Sequence, residues 1–72
     1  MTDPDYVVWS FEHEAWWGPA RWGYTLDLAE AGRYTRAEAE DIVTHANQYR
    51  DTPYEALLPL AEALVTGPPT QL

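Results

Sequence analysis

Apolar and polar positions alternate over Tyr6-Val7-Val8-Trp9-Ser10-Phe11, a short run rich in β-branched and aromatic residues, and predict a strand. Alternation puts Val7, Trp9 and Phe11 on one face and Tyr6, Val8 and Ser10 on the other. The first face is the heavier and is the expected core side. Glu12-His13-Glu14 breaks the run as a hairpin connection would, and Trp16-Trp17 opens the returning strand. Gly18-Pro19 follows as a breaker pair, because proline cannot donate to a ladder and glycine is free to take positive φ. A bulge or wide turn is expected there, with pairing resumed around Trp22-Gly23-Tyr24-Thr25. One interrupted strand and two short ones both fit this pattern.

Helical spacing appears further on. Leu26 to Gly32 is long enough for a single helical turn, capped by Thr25 or Asp27 and stopped by Gly32 at the C′ position. Thr35-Arg36-Ala37-Glu38 matches the capping box, with Thr35 as N-cap and Glu38 reaching back from N3. Acidic residues fill the first two turns and His45 and Arg50 fall near the other end, as the macrodipole favours. Ala39, Ile42, Val43, Ala46 and Tyr49 form one apolar stripe, so the spacing predicts an amphipathic helix over about 36–49. Its outer face carries Glu38, Asp41, Thr44, His45 and Gln48.

The C-terminal third reads two ways. Thr52-Pro53-Tyr54-Glu55 is a second capping-box pattern, but Pro59 would then lie inside the helix at a cost of about 3 kcal/mol. The other reading, which we favour, is a short edge strand over 55–59 beside the first strand, where proline is tolerated. Residues 1–4 read as a frayed start and 67–72 as a disordered tail. The expected architecture is one α+β domain over 1–66, a two- or three-stranded antiparallel sheet packed on one amphipathic helix. Val7, Trp9, Phe11, Ile42, Val43, Ala46 and Leu57 are the expected core.

Composition bounds the chemistry. Seventy-two residues approach the lower limit for a self-supporting core, and the absence of cysteine removes disulfides and thiolate metal sites. Aromatic residues at 14% take over, each ring burying about 150–250 Å². Twelve Asp and Glu face four Arg and no Lys, giving a formal charge of −8 and a pI near 4.3. Phosphate would be repelled, so direct nucleic-acid binding is not expected. With 46% hydrophobic residues the chain is expected to fold, and its acidity would steer it toward basic partners. The acidic start lacks a signal peptide's basic region and no apolar run approaches membrane-spanning length, so no membrane partner and a cytoplasmic location are expected.

Trp9-Ser10, Trp16-Trp17 with Pro19, Gly23-Tyr24-Thr25, Ala31-Gly32-Arg33-Tyr34-Thr35, Glu38-Ala39 and Ile42 together resemble a set of small phage and prophage proteins. These share the pattern W-W-x-P…G-Y-T…A-G-x-Y-[S/T]-x-x-E-A, and the resemblance covers about residues 7–60. It implies an accessory phage gene product in the host cytoplasm, with no agreed activity to carry over. It also supports the strand reading of 55–59. By class, it points to host takeover or inhibition of bacterial immunity, including anti-CRISPR proteins.

No catalytic or metal constellation stands out. Glu12-His13-Glu14 is the one His/carboxylate cluster, and adjacent residues of an extended segment point apart, so a solvated loop is expected rather than a metal site. There is no nucleophile elbow, phosphate-binding loop or zinc-protease helix. No enzyme activity and no cofactor are expected. The candidate partner-binding residues are Trp16, Trp17, Arg21, Trp22, Glu30, Glu38 and Asp41. One of Trp16 and Trp17 is expected inside and its neighbour outside. The expected function is inhibition of a basic host protein, such as a nuclease or CRISPR effector, with the acidic helix imitating nucleic-acid phosphates. The alternatives are a carbohydrate-binding or structural phage module using exposed tryptophans, or a homodimer joined through the aromatic surface.

Overall fold

The computed structural model describes residues 5–48 and 55–69. The start at 1–4, Tyr49 of the helix stripe, Thr52-Pro53-Tyr54 of the second capping-box pattern and the tail end at 70–72 lie outside the described residues. The α+β expectation holds. Four strands, β1 (Tyr6–Ser10), β2 (Ala15–Trp17), β3 (Tyr24–Thr25) and β4 (Glu55–Pro59), form one sheet in the order β3-β2-β1-β4 with all neighbours antiparallel. Two helices, α1 (Arg36–Asn47) and α2 (Leu60–Thr66), accompany it. The sheet therefore has one strand more than expected, because Gly18-Pro19 splits the returning stretch into β2 and β3.

Pro59 resolves the ambiguity of the C-terminal third in favour of the strand over 55–59, with a separate short helix beginning only after it. The strand runs to Pro59, which then serves as the N-cap of α2. Its fixed φ suits a strand end and its missing N–H costs nothing at a helix start.

The largest departure from expectation concerns the core. Val7 and Val8 are adjacent, point to opposite faces, and are both fully buried. Such a pair requires a sheet covered on both sides. Val7, Trp16 and Leu58 pack with Ala31 and Ala63, joined by Trp9, Leu28 and Leu60, so α2 and the 28–31 turn cover this face. Val8 packs with Tyr34, Ala39 and Ile42, joined by Tyr6, Trp17, Val43 and Leu57, so α1 covers the other. The helix thus lies on the Val8 face, not the Val7 face as expected. Phe11 is not a strand residue: β1 stops at Ser10 and Phe11 sits half-buried in the 11–14 turn, where Glu14 takes a left-handed φ of 52°. Ala46 is half-buried.

Local signals account for most of the framework. The Thr35–Glu38 capping box forms in both directions, at 3.1 Å to the Glu38 N–H and 2.9 Å from the Thr35 N–H. The helix ends at Asn47 rather than 49, because Gln48 is extended and the Asn47 side chain is engaged with the Glu55 backbone. The turn over Leu28–Glu30 is a 3-10 turn capped by Asp27, whose carboxylate accepts from the Ala29 N–H at 2.9 Å. Gly32 does not end it in a left-handed conformation, as expected, but serves close approach. A Cβ there would lie 2.5 Å from the Gly18 carbonyl oxygen and 2.7 Å from the Tyr34 hydroxyl.

Gly32→Ala is therefore expected to destabilise the fold by about 1–3 kcal/mol, the usual cost of forcing extra volume into packed structure. Urea unfolding followed by tryptophan fluorescence measures it, and a midpoint equal to that of the parent chain would contradict the packing described.

Candidate interaction surface

The segment from Gly18 to Gly23 leaves the sheet after β2 and returns as β3. Its path is narrow. The Gly18 N–H donates to the Gly23 carbonyl at 2.8 Å and the Trp22 N–H to the Pro19 carbonyl at 3.0 Å. Between them Ala20 and Arg21 both adopt left-handed φ values, 56° and 60°. For residues with a Cβ this conformation costs roughly 1–2 kcal/mol each, so it persists only where surrounding contacts impose it.

Those contacts converge on Tyr34. Its buried hydroxyl donates to the Gly18 carbonyl and accepts the Arg21 N–H at 2.9 Å, spanning the loop from base to tip. The Tyr34 backbone is fixed in turn. It exchanges hydrogen bonds of 2.8 and 2.9 Å with Tyr6, occupying the place beside β1 that β2 vacates after Trp17. The Gly32 N–H donates to the Trp17 carbonyl at 2.8 Å. Burial pushes the Tyr34 phenol above its ordinary value of 10.0, opposed by the Arg21 N–H and the Arg21 charge.

This loop carries Trp22 outward, 84% exposed, and neither core includes it. Trp16 is buried at 3% exposure with its ring edge-on to Trp9 at 4.9 Å, across a directly facing pair of β1 and β2. Trp17 is half-buried on the α1 face, T-shaped against Tyr24 at 5.9 Å. The expected division of Trp16 and Trp17 into one inner and one outer ring is therefore corrected. Both rings point into covered faces of the sheet, and the exposed ring is Trp22.

Arg21, Glu38 and Asp41 are brought together. The Arg21 guanidinium reaches Asp41 on α1 at 3.2 Å, and Asp41 also pairs with His45 at 3.3 Å. Glu38 is held below the ordinary carboxylate range, chiefly by the Thr35 N–H and hydroxyl contacts of the capping box and to a lesser degree by Arg21. Arg36 pairs with Glu40 at 2.9 Å along the same helix. These partners are exposed, so each pair contributes about 0–1 kcal/mol, but together they moderate the acidic face that the sequence suggested. Glu30 stands apart, exposed on the 3-10 turn whose neighbours Leu28 and Ala31 pack on the opposite face of the sheet.

His13 stacks on Tyr24 at 4.0 Å and lies 3.6 Å from Glu12, in the polar loop expected there. The Tyr24 phenol is also raised, by partial burial and then by the charges of Glu55 and Glu12. Among the described residues no group of three or more His, Asp or Glu converges to hold a metal ion, and no helix is long and apolar enough to cross a membrane. Sequence reasoning did not anticipate the exposed Leu26, Leu64 and Val65, nor the clamp at Tyr34. Tyr34 stood within the Ala31-Gly32-Arg33-Tyr34 motif, but linear spacing says nothing of a contact across sixteen residues to Gly18.

The chain matches no protein-family model, no curated protein and no solved structure. Its architecture alone defines its class: a small α+β domain with an antiparallel sheet covered on both faces and a clamped loop presenting one tryptophan.

Tyr34→Phe is expected to cost about 1–3 kcal/mol, since it leaves the Gly18 carbonyl and the Arg21 N–H without their partner. The sign with pH is defined. A phenol held neutral in the fold contributes fully below pH 10.0 and loses that contribution as pH rises through its elevated folded value. The alkaline loss of stability should therefore shrink in Tyr34→Phe, leaving the part due to Tyr24, as measured by urea midpoints across the alkaline range. Glu38 acts in the opposite direction. Its contribution is present above the ordinary 4.5 and is lost as pH falls through its lowered value, so Glu38→Gln should flatten the acid limb of the same profile.

Proposed function

We propose that this chain is a non-enzymatic interaction protein that docks on a basic surface of its partner with Trp22 as the central anchor. The exposure of Trp22 on a loop whose backbone is already held by Tyr34 carries this reading. A ring displayed on a preorganised backbone loses little conformational freedom on binding, and tryptophan is among the residues most enriched at interface hot spots. The formal charge of −8 supplies long-range attraction to a basic partner. Arg21, Glu38 and Asp41 flank the anchor as a polar rim, whereas Trp16 and Trp17 act from within by supporting the sheet.

The partner that fits this chemistry is a basic nucleic-acid-binding protein, such as a nuclease or CRISPR effector, and the outcome is inhibition of an anti-phage defence. Pairing of Asp41 with Arg21 and of Glu40 with Arg36 favours an anchored interface over simple imitation of a phosphate row.

Trp22→Ala is the test. The side chain is exposed and no core residue packs on it, so the urea midpoint should remain that of the parent chain. Recovery of the partner from host lysate by the tagged chain should fall, with affinity for the identified protein lowered at least about thirtyfold, a hot-spot loss of about 2 kcal/mol. Affinity of the parent chain should also decline with added salt. A Trp22→Ala chain that binds as tightly as the parent overturns the reading. Tryptophan quenching by a soluble glycan, with no protein recovered, would favour the carbohydrate-binding alternative.

A further inference from the structure

A residue with a Cβ adopts the left-handed region against its own preference. The loop between β2 and β3 contains two such residues in succession, Ala20 at φ 56° and ψ 33° and Arg21 at φ 60°. Trp22 follows them directly with an extended backbone, φ −113° and ψ 113°. The two residues ahead of it therefore set the direction in which its ring leaves the loop. Glycine would take this region at no steric cost, yet neither position holds one.

The contacts that hold the pair are unevenly spread. The base of the loop closes by itself, through the Gly18 N–H to the Gly23 carbonyl at 2.8 Å and through the Trp17↔Tyr24 pair of β2 and β3. At the tip Arg21 is tied twice, by its N–H to the Tyr34 hydroxyl at 2.9 Å and by its guanidinium to Asp41 at 3.2 Å. The guanidinium tie lies between exposed side chains and is weak. The other belongs to a buried residue whose hydroxyl also donates to the Gly18 carbonyl. A buried hydroxyl with both partners returns about as much as two strained residues cost, so the tip keeps its shape by a narrow margin.

We infer that Tyr34 is a positioning residue for the Trp22 anchor: its hydroxyl selects the left-handed form of Ala20 and Arg21, and that form aims the ring at the partner. This rests on the anchor reading above. Tyr34 itself is 4% exposed and cannot touch a docked protein, so any effect of its hydroxyl on binding must pass through the loop. Removing the hydroxyl leaves the ring among Val8, Ala39 and Ile42 and leaves the base of the loop closed, but it releases the tip. Binding then requires the left-handed form to be repopulated, and the apparent affinity falls with the fraction of chains that hold it.

Tyr34→Phe tests this first in the isolated chain. A left-handed residue brings its amide proton close to its own Hα, so Ala20 and Arg21 should give strong intraresidue NOE cross-peaks in the parent. In folded Tyr34→Phe these should weaken toward ordinary intensity. Affinity for the purified protein recovered with the parent chain should fall by about tenfold, matching the left-handed fraction that the cross-peaks report. A synthetic Tyr34→Phe chain with D-alanine and D-arginine in place of Ala20 and Arg21 should return to within about twofold of the parent affinity, because mirror-image residues prefer this region without a clamp. A purely structural role for Tyr34 would not be repaired in this way. Cross-peaks that stay strong in Tyr34→Phe overturn the positioning role, as does a lost affinity that the D-residues fail to restore. Either result leaves the anchor reading standing, which a tightly binding Trp22→Ala chain would instead remove. If Tyr34→Phe does not fold, Ala20→Gly in the parent chain serves. It relieves strain at a left-handed position and should raise the urea midpoint, against the usual loss from glycine, and a lowered midpoint would overturn the inference.

Discussion

Much of this structure depends on one buried hydroxyl. The Tyr34 phenol joins the carbonyl of Gly18 to the N–H of Arg21, and the Tyr34 backbone is bridged to Tyr6 at the start of β1. A single residue thereby couples the central strand, the loop between β2 and β3, and the entry to α1. The loop could not hold two successive left-handed residues without such a contact, since neither Ala20 nor Arg21 favours that conformation. The fit also explains why Gly18 and Gly32 lack side chains. A Cβ on either would collide with the backbone of this junction.

A second constraint is size. A chain of 72 residues has little apolar material, and it is divided between two faces of one sheet. Each core is small, so rings and paired valines do what a larger domain assigns to many aliphatic residues. Trp16 and Trp9 meet edge to face across β1 and β2, while Tyr34 and Trp17 thicken the other side beneath α1. Dividing the core in this way draws Trp9, Trp16 and Trp17 inward, which leaves Trp22 as the one exposed tryptophan among the described residues. The edges are managed with equal economy. β3 is two residues long, and β4 is bounded by Pro59 at one end and covered by Asn47 at the other.

These constraints shape the functional reading. With the strand edges short or covered and the acids of α1 tied to Arg21, Arg36 and the helix cap, the proposed recognition would fall to side chains held on a rigid backbone. Trp22 is placed where it is because the clamp leaves its ring no core to enter. In the interaction proposed above, charge would act at a distance, bringing an acidic domain toward a basic surface, while the ring and its rim would act at contact.

Local physics made several elements legible in the letters alone. The capping box announced α1, since Thr35 and Glu38 satisfy helix donors within their own four residues. Alternation announced β1, the Gly18-Pro19 break announced the loop, and Pro59 marked where β4 would stop. Absence of cysteine and the charge of −8 excluded disulfides and set the electrostatic character. What the letters left open were choices between residues equally apolar in one dimension. Periodicity cannot tell a sheet covered once from a sheet covered twice, although the neighbouring pairs Val7-Val8 and Leu57-Leu58 record the difference. Nor can it say which of four tryptophans remains outside, because that depends on contacts between positions far apart in the chain. Tyr34 against Gly18 and Asn47 against Glu55 exist only after the sheet has assembled, and those contacts decide which ring and which edge the protein presents.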